Sequence, residues 1–229
     1  MSKGTLVGFV VAAFLISMPS AFAVPSIVNG SFEAVQIPPG SSFITNPADV
    51  PGWTHTGSTG DGFLWHTGPI CCGGTNSTTA PDGLQFVTLG GGFGPTGSSA
   101  WSQTISGLTI GQNYDISFMI AAEGEVSTQT LTAAITSGSS TLPQLFTSPV
   151  AGPLFWTNWG AENYNFLAAA SSATLEFSVT NQAFDIGLDA VSITPSGSVP
   201  SVPEPASWAL FAVGLAALGA LRLRRKETA

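Results

Sequence analysis

The sequence predicts an all-β sandwich for the middle of the chain, and three features carry that expectation. Apolar residues recur with period two over several segments, which places them on one face of a strand. Amphipathic helical periodicity is absent from the same region. Clusters of Gly, Pro, Asn and Ser separate the segments, among them Pro81-Asp82-Gly83, Gly107 to Asn113 and the glycine-rich Gly90 to Gly97. Many short strands with no helices between them leave sheet-on-sheet packing as the way to bury the apolar faces.

The strands follow in order between Val24 and Ser201, about 178 residues, a length that suits one domain with a substantial core. A first strand is expected near Leu84 to Leu89. Tyr114, Ile116, Phe118 and Ile120 share one face of the next, opposite Asp115, Ser117 and Met119. Leu131-Ala133-Ile135 and Tyr164-Phe166-Ala168 are shorter candidates, and Leu175, Phe177 and Val179 alternate with Glu176, Ser178 and Thr180. In the last segment Phe184, Ile186 and Leu188 share one parity, whereas Val191 and Ile193 share the other. Either a bulge near Asp189-Ala190 reconciles them, which would turn Asp189 toward a site, or one strand ends there and another begins.

Charge narrows the function classes. The chain has 229 residues, of which 8% are charged, against about 25% in an ordinary soluble domain. All five basic residues lie at the ends: Lys3, Arg222, Arg224, Arg225 and Lys226. Gly4 to Leu221 contains twelve carboxylates and no Lys or Arg. Such a body cannot neutralise phosphates, so nucleic-acid binding, Arg clamps on phosphoryl groups, a P-loop and Schiff-base lysine chemistry are excluded. A neutral-ligand binder, a metal binder, a scaffold or carboxylate chemistry remain.

The two ends read as addresses. Lys3 precedes the apolar run Leu6 to Ile16, and Ala21-Phe22-Ala23 supplies a small-x-small triplet. This is the layout of a signal peptide, residues 1–23, cleaved before Val24. After a Pro/Ser/Gly linker at 195–202, Ala206 to Leu221 forms an uncharged run of 16 residues. As a helix it would be about 24 Å long, a short transmembrane span. The basic tip Arg222, Arg224, Arg225 and Lys226 would hold that end in the cytoplasm and leave the acidic body, spanning 24–194, outside.

Pro203-Glu204-Pro205, then the apolar helix, then the Arg-rich tip resemble the PEP-CTERM sorting signal of exopolysaccharide-producing bacteria. The resemblance covers residues 203–229. It implies transient insertion in the inner membrane, recognition of Pro203, Glu204 and Pro205 by an exosortase, and release or attachment at the cell surface or in the extracellular matrix. The same tail also goes under the name ice-binding protein C-terminal domain, a name that says nothing about the body.

Asn29-Gly30-Ser31-Phe32-Glu33, Pro51-Gly52-Trp53, Pro81-Asp82-Gly83, Ala100 to Ile105, Gly111-Gln112-Asn113-Tyr114 and Leu188 to Ile193 occur in an order similar to that of galactose-binding-domain-like jelly rolls. The resemblance spans nearly all of the body and implies a jelly-roll sandwich of the kind found in carbohydrate-binding modules. It also implies a structural Ca²⁺ held by Glu33 of the opening segment and Asp189 of the closing strand. Ca²⁺ takes six to eight oxygen ligands, which an all-acidic body supplies without competing cations. Where the family often has an Asp-Asp pair, this chain has Asp189-Ala190, so one carboxylate is missing.

Sugar binding needs aromatic platforms and neutral hydrogen-bonding groups. The rings available are Trp53, Trp65, Trp101, Trp156 and Trp159. Trp53 and Trp65 stand out because they fall in the loop-like stretch Pro51 to Gly74, and Trp156 and Trp159, three apart, cannot share a strand face. Cys71 and Cys72 are adjacent and make no disulfide framework; free or variably oxidised thiols, a strained ring or pairing between molecules stay open. A zinc site with His55 and His66 lacks any standard spacing. No nucleophile elbow, zincin motif or CxxC occurs. These features point to an exported, non-enzymatic protein that associates with exopolysaccharide. A purely structural surface or biofilm component is the alternative, and a glycoside hydrolase with an unassigned pair of carboxylates is a lesser one.

Overall fold

The computed structural model describes residues 24–39, 42–44, 50–57, 62–69, 77–90, 97–123, 128–150, 156–182 and 184–197. The expected signal peptide with Ala21 and Ala23, Cys71 and Cys72, Pro203, Glu204 and Pro205, the apolar run 206–221 and the tip Arg222, Arg224, Arg225 and Lys226 lie outside these residues. Among the described residues no helix is long and apolar enough to cross a membrane.

The strands are β1 (Ser42–Ile44), β2 (Thr54–Gly57), β3 (Phe63–His66), β4 (Gly68–Pro69), β5 (Ser77–Thr78), β6 (Gln85–Leu89), β7 (Gly97–Ser106), β8 (Asn113–Ala122), β9 (Thr130–Ser137), β10 (Ser140–Thr147), β11 (Gly160–Leu167), β12 (Ser172–Gln182) and β13 (Ile186–Pro195). One sheet has the order β1-β3-β6-β13-β8-β11 and the other β10-β9-β12-β7-β2, while β4 and β5 form a small ribbon. All pairings are antiparallel. From β6 to β13 the chain changes sheet at every connection except the β9–β10 hairpin, so β6-β13-β8-β11 faces β10-β9-β12-β7. That is the jelly-roll strand order.

Period two turns into burial as expected. On β8, Tyr114, Ile116, Phe118 and Ile120 are buried between the sheets, and Asp115, Ser117 and Met119 are half-exposed on the other face. Leu175, Phe177 and Val179 do the same from β12, Leu131, Ala133 and Ile135 from β9, and Tyr164 and Phe166 from β11. Rings run through this core from the opening segment to the far edge. Phe32 meets Trp53 at 5.4 Å, Trp53 meets Phe177 at 6.2 Å, Phe177 meets Phe118 at 4.9 Å and Phe118 meets Phe146 at 5.0 Å.

Several strands have no period-two signature. The stretch from Pro51 to Gly74, read as loop, contains β2, the edge strand of one sheet, and β3, which lies between β1 and β6 in the other. They are only four residues each, too short to display alternation. Exposed β10 buries only Phe146, and its Pro143 is tolerated because β10 pairs on one side alone. Phe184 departs from its expected core face: it precedes β13 and is exposed.

The phase change in the last strand is a bulge. The register of β13 against β8 slips between Asp189 and Ser192, and Ala190 takes φ +54°. The extra residue returns Val191 and Ile193 to the core face, while Asp189, opposite Met119, stays on the other face of the sheet, where it is nonetheless fully buried.

Candidate functional site

The first candidate region joins the two ends of the body. Asn29 and Phe32 both adopt positive φ, 52° and 58°, and wind the opening segment into a tight turn. The Asn29 carbonyl accepts from the Phe32 N–H at 3.2 Å and from the Trp53 indole at 3.0 Å. Next to it, the Val191 N–H donates to the Gly30 carbonyl at 2.9 Å. A Cβ at Gly30 would lie 2.0 Å from the Val191 carbonyl oxygen, so only glycine lets the opening turn lie against β13.

Two carboxylates converge on the Pro81-Asp82-Gly83 turn. Glu33 Oε1 accepts from the Leu84 N–H at 2.6 Å and the Gln85 N–H at 2.5 Å. Asp189 Oδ2 accepts from the Asp82 N–H at 3.0 Å, and its Oδ1 from the Ala190 N–H at 2.6 Å. Gly83, at φ +83°, passes so close that a Cβ there would stand 2.5 Å from Glu33 Oε1. Burial pushes the Asp189 carboxyl up to about 7, with the charges of Asp82 and Glu33 adding to the rise and the two backbone N–H groups opposing it. The structure therefore brings Glu33 and Asp189 to one place. It adds Asp82, which sequence reasoning had noted only as part of a turn.

Two buried glutamines complete the seam. Gln103 accepts from the Val28 N–H at 2.7 Å and donates to the Val28 and Gly52 carbonyls, each at 2.8 Å. Gln85 accepts from the Ile37 N–H at 2.9 Å and donates to the Phe32 and Val35 carbonyls. Sequence analysis missed both. The signal available was polar residues on strands whose neighbours are apolar.

The five tryptophans separate. Trp53 and Trp101 lie in the inter-sheet core with 4% and 0% of their surface exposed, so they hold the sandwich together and present no platform to a ligand. Trp65 and Trp156 belong instead to a second apolar cluster with Phe86 and Ala121, packed by half-exposed Phe63, Ala80 and Trp159. Trp65 and Trp156 meet at 4.9 Å, and Phe86 and Trp159 at 5.2 Å edge to face. The Trp159 indole donates to the Thr79 and Trp156 carbonyls at 3.0 and 2.9 Å, whereas the buried Trp65 indole N–H has no partner.

Gly187 lets this second cluster settle on the backbone. A Cβ there would stand 2.8 Å from Trp159 Cη2 and 3.0 Å from Trp156 Cδ1. Gly187→Ala is expected to displace the indoles, shift tryptophan fluorescence and cost about 1–3 kcal/mol in denaturant unfolding; an unchanged spectrum at full stability would refute the contact.

His55 sits over Trp101 at 4.7 Å on β2 in one sheet, and His66 sits on β3 in the other, its Nδ1 2.6 Å from the Thr67 carbonyl oxygen. Among the described residues no group of three or more His, Cys, Asp or Glu side chains could by itself hold a metal ion. A cation between Glu33 and Asp189 would thus need backbone carbonyls and water for most of its ligands.

Residues 201–226 match the family described as the PEP-CTERM protein-sorting motif. No curated protein matches the chain. Among solved structures, the chain is similar to TmCBM61 in complex with β-1,4-galactotriose, at 17% identity and TM-score 0.48, covering 64% of this chain and 90% of that one. It is also similar to the CBM22-1 xylan-binding domain of Paenibacillus barcinonensis Xyn10C, at 15% identity and TM-score 0.40, covering 69% and 93%. A third is the K1 cleaved adhesin domain of Lys-gingipain from Porphyromonas gingivalis, at 14% and TM-score 0.42, covering 69% and 100%. The architecture itself stands on the strand order described above.

Proposed function

We propose that the chain is exported, processed through its tail by an exosortase, and displayed at the cell surface or in the matrix, where its sandwich binds a neutral exopolysaccharide without cleaving it. The sorting reading rests on the motif at residues 201–226, which contains Pro203, Glu204 and Pro205. The ligand reading rests on the second aromatic cluster: Phe63 and Trp159 offer half-exposed rings over buried Trp65 and Trp156. Flat rings pack against sugar C–H groups. Absence of basic residues from the body favours neutral glycans over phosphorylated ones.

Two measurements test this reading. In a strain with its exosortase, Glu204→Ala or deletion from Ala206 onward should leave the tail unprocessed, and unchanged maturation would refute the sorting claim. In a pull-down with the producer's exopolysaccharide, Phe63→Ala combined with Trp159→Ala should weaken binding about ten- to a hundredfold, the scale of two lost stacking contacts. No binding by the wild type, with calcium present, would overturn the ligand claim.

The calcium reading belongs to the same proposal. Glu33 and Asp189 would be the side-chain ligands, with Asp82 beside them. The observation that favours a cation is electrostatic: three carboxylates lie close enough to interact, and the body has no Lys or Arg to offset them. Bound there, Ca²⁺ would supply positive charge and join the opening turn to the closing strand; the role is structural.

A further inference from the structure

A second buried acidic centre lies between the end of β8 and the start of β13, away from the bulge. Glu123 follows β8 and is 1% exposed; Asp185 precedes β13 and is also 1% exposed. Their backbones are crossed: the Glu123 N–H donates to the Asp185 carbonyl at 3.0 Å, and the Asp185 N–H donates to Glu123 Oε2 at 2.8 Å. Thr88 of β6 donates its hydroxyl to Asp185 Oδ2 at 3.0 Å and accepts the Phe63 N–H of β3 at 3.2 Å. From the other sheet, Gln129 accepts the Glu123 N–H at 3.1 Å, and its own backbone pairs with Ser148 through bonds of 3.0 and 2.8 Å. One connected network thus fastens β3, β6, β8 and β13 to the ends of β9 and β10.

The network is incomplete at one point. Glu123 Oε1 is buried with no hydrogen-bond partner, and so is the Gln129 side-chain nitrogen. Among the described residues, Asp185 is the only ionisable group acting on Glu123; Thr88, Gln129 and Ser148 are neutral. No Lys or Arg exists between Gly4 and Leu221 to neutralise the pair. A bare carboxylate oxygen in such a place is expensive, because nothing replaces the water it loses. A proton on Oε1 removes the charge and leaves the Oε2 bond to the Asp185 N–H intact.

We propose that the Glu123–Asp185 crossing is a proton-held clasp between the two sheets. Below neutral pH, a proton taken from solvent onto Glu123 Oε1 keeps the crossing dry and closed. As pH rises the proton leaves, and the naked oxygen draws in water or the Gln129 amide, which loosens the connections leading out of β8 and into β13. Burial, reinforced by the Asp185 charge and opposed by the Asp185 N–H, pushes the Glu123 carboxyl up to about 7. The folded state therefore binds this proton more tightly than the unfolded chain, whose Glu titrates near its usual 4.5. The contribution is complete below about pH 4.5 and is lost as pH rises through 7.

The test is denaturant unfolding of the purified full chain in detergent between pH 4.5 and 8. The unfolding constant should rise about a hundredfold more steeply over this window in the wild type than in Glu123→Gln, which cannot ionise. Exposed Glu176→Gln should keep the wild-type slope. Independently of any variant, the Glu123 carboxyl carbon in the wild type should titrate near 7 by NMR. A midpoint near 4.5, or equal slopes for wild type and Glu123→Gln, would overturn the clasp. So would calcium abolishing the slope in wild type but not in Glu123→Gln, because a cation would then be the neutralising charge.

Discussion

Trp101→Ala should lower the unfolding free energy by about 3–5 kcal/mol, the largest loss expected from any single truncation described here. The side chain is fully buried on β7, which pairs with β12 on one side and β2 on the other. Three losses coincide. The large apolar surface leaves a cavity that rigid sheets on both sides cannot collapse into. The indole N–H, which donates to the Thr88 carbonyl at 3.0 Å, disappears and leaves that oxygen without this donor. His55, tilted against the indole with ring centroids 4.7 Å apart, loses that contact. Trp101→Phe should recover more than half of the loss, since it refills most of the volume and forgoes mainly the hydrogen bond, about 1 kcal/mol. Urea titration reads both; a loss below 1 kcal/mol in the alanine variant would mean that this core is not close-packed at Trp101.

Asp189→Ala should be nearly as damaging, about 2–4 kcal/mol, although it deletes little apolar surface. The carboxylate accepts the Asp82 and Ala190 N–H groups, and truncation leaves both donors without this acceptor in a partly buried place. Asp189→Asn keeps one acceptor oxygen and should cost less. Calcium separates the proposed metal from the hydrogen bonds already present. If Glu33 and Asp189 hold Ca²⁺, adding it at about a hundred times its dissociation constant should stabilise the wild type by roughly 2.7 kcal/mol and leave Asp189→Ala unmoved. A wild-type melting temperature indifferent to calcium and to chelator would remove the metal and leave the amide-bonded turn as the whole function of these carboxylates.

Legibility in the sequence followed the length and sidedness of each element. β8 and β12 run for ten and eleven residues with one face in the core, so their alternation shows plainly. β3 is four residues long and β10 is exposed at seven of its eight positions, and neither offers a pattern to detect. At the site, Glu33 and Asp189 were reachable because the order of landmarks suggested them, and the parity break at Asp189-Ala190 gave an independent reason to look there. Asp82, Gln85 and Gln103 were not reachable: their roles depend on partners 48 to 107 residues away in the chain. The tryptophans were ambiguous for the same reason. Trp53, in the loop-like stretch, fills the main core, whereas Trp159 remains half-exposed.

By itself the sequence determined the all-β class, the exclusion of phosphate and nucleic-acid chemistry, and the sorting tail, because these depend on local periodicity, on composition and on a contiguous motif. Only the tertiary structure decided which acids are buried together and which aromatics face water. Packing of the opening turn brings Glu33 to Asp82 and Asp189, and the pairing of β8 with β13 brings Glu123 to Asp185, across distances that no local rule spans. The absence of cations could be counted along the chain. Its consequence, buried carboxylates that must find a proton or a metal, exists only once the sheets have closed over them.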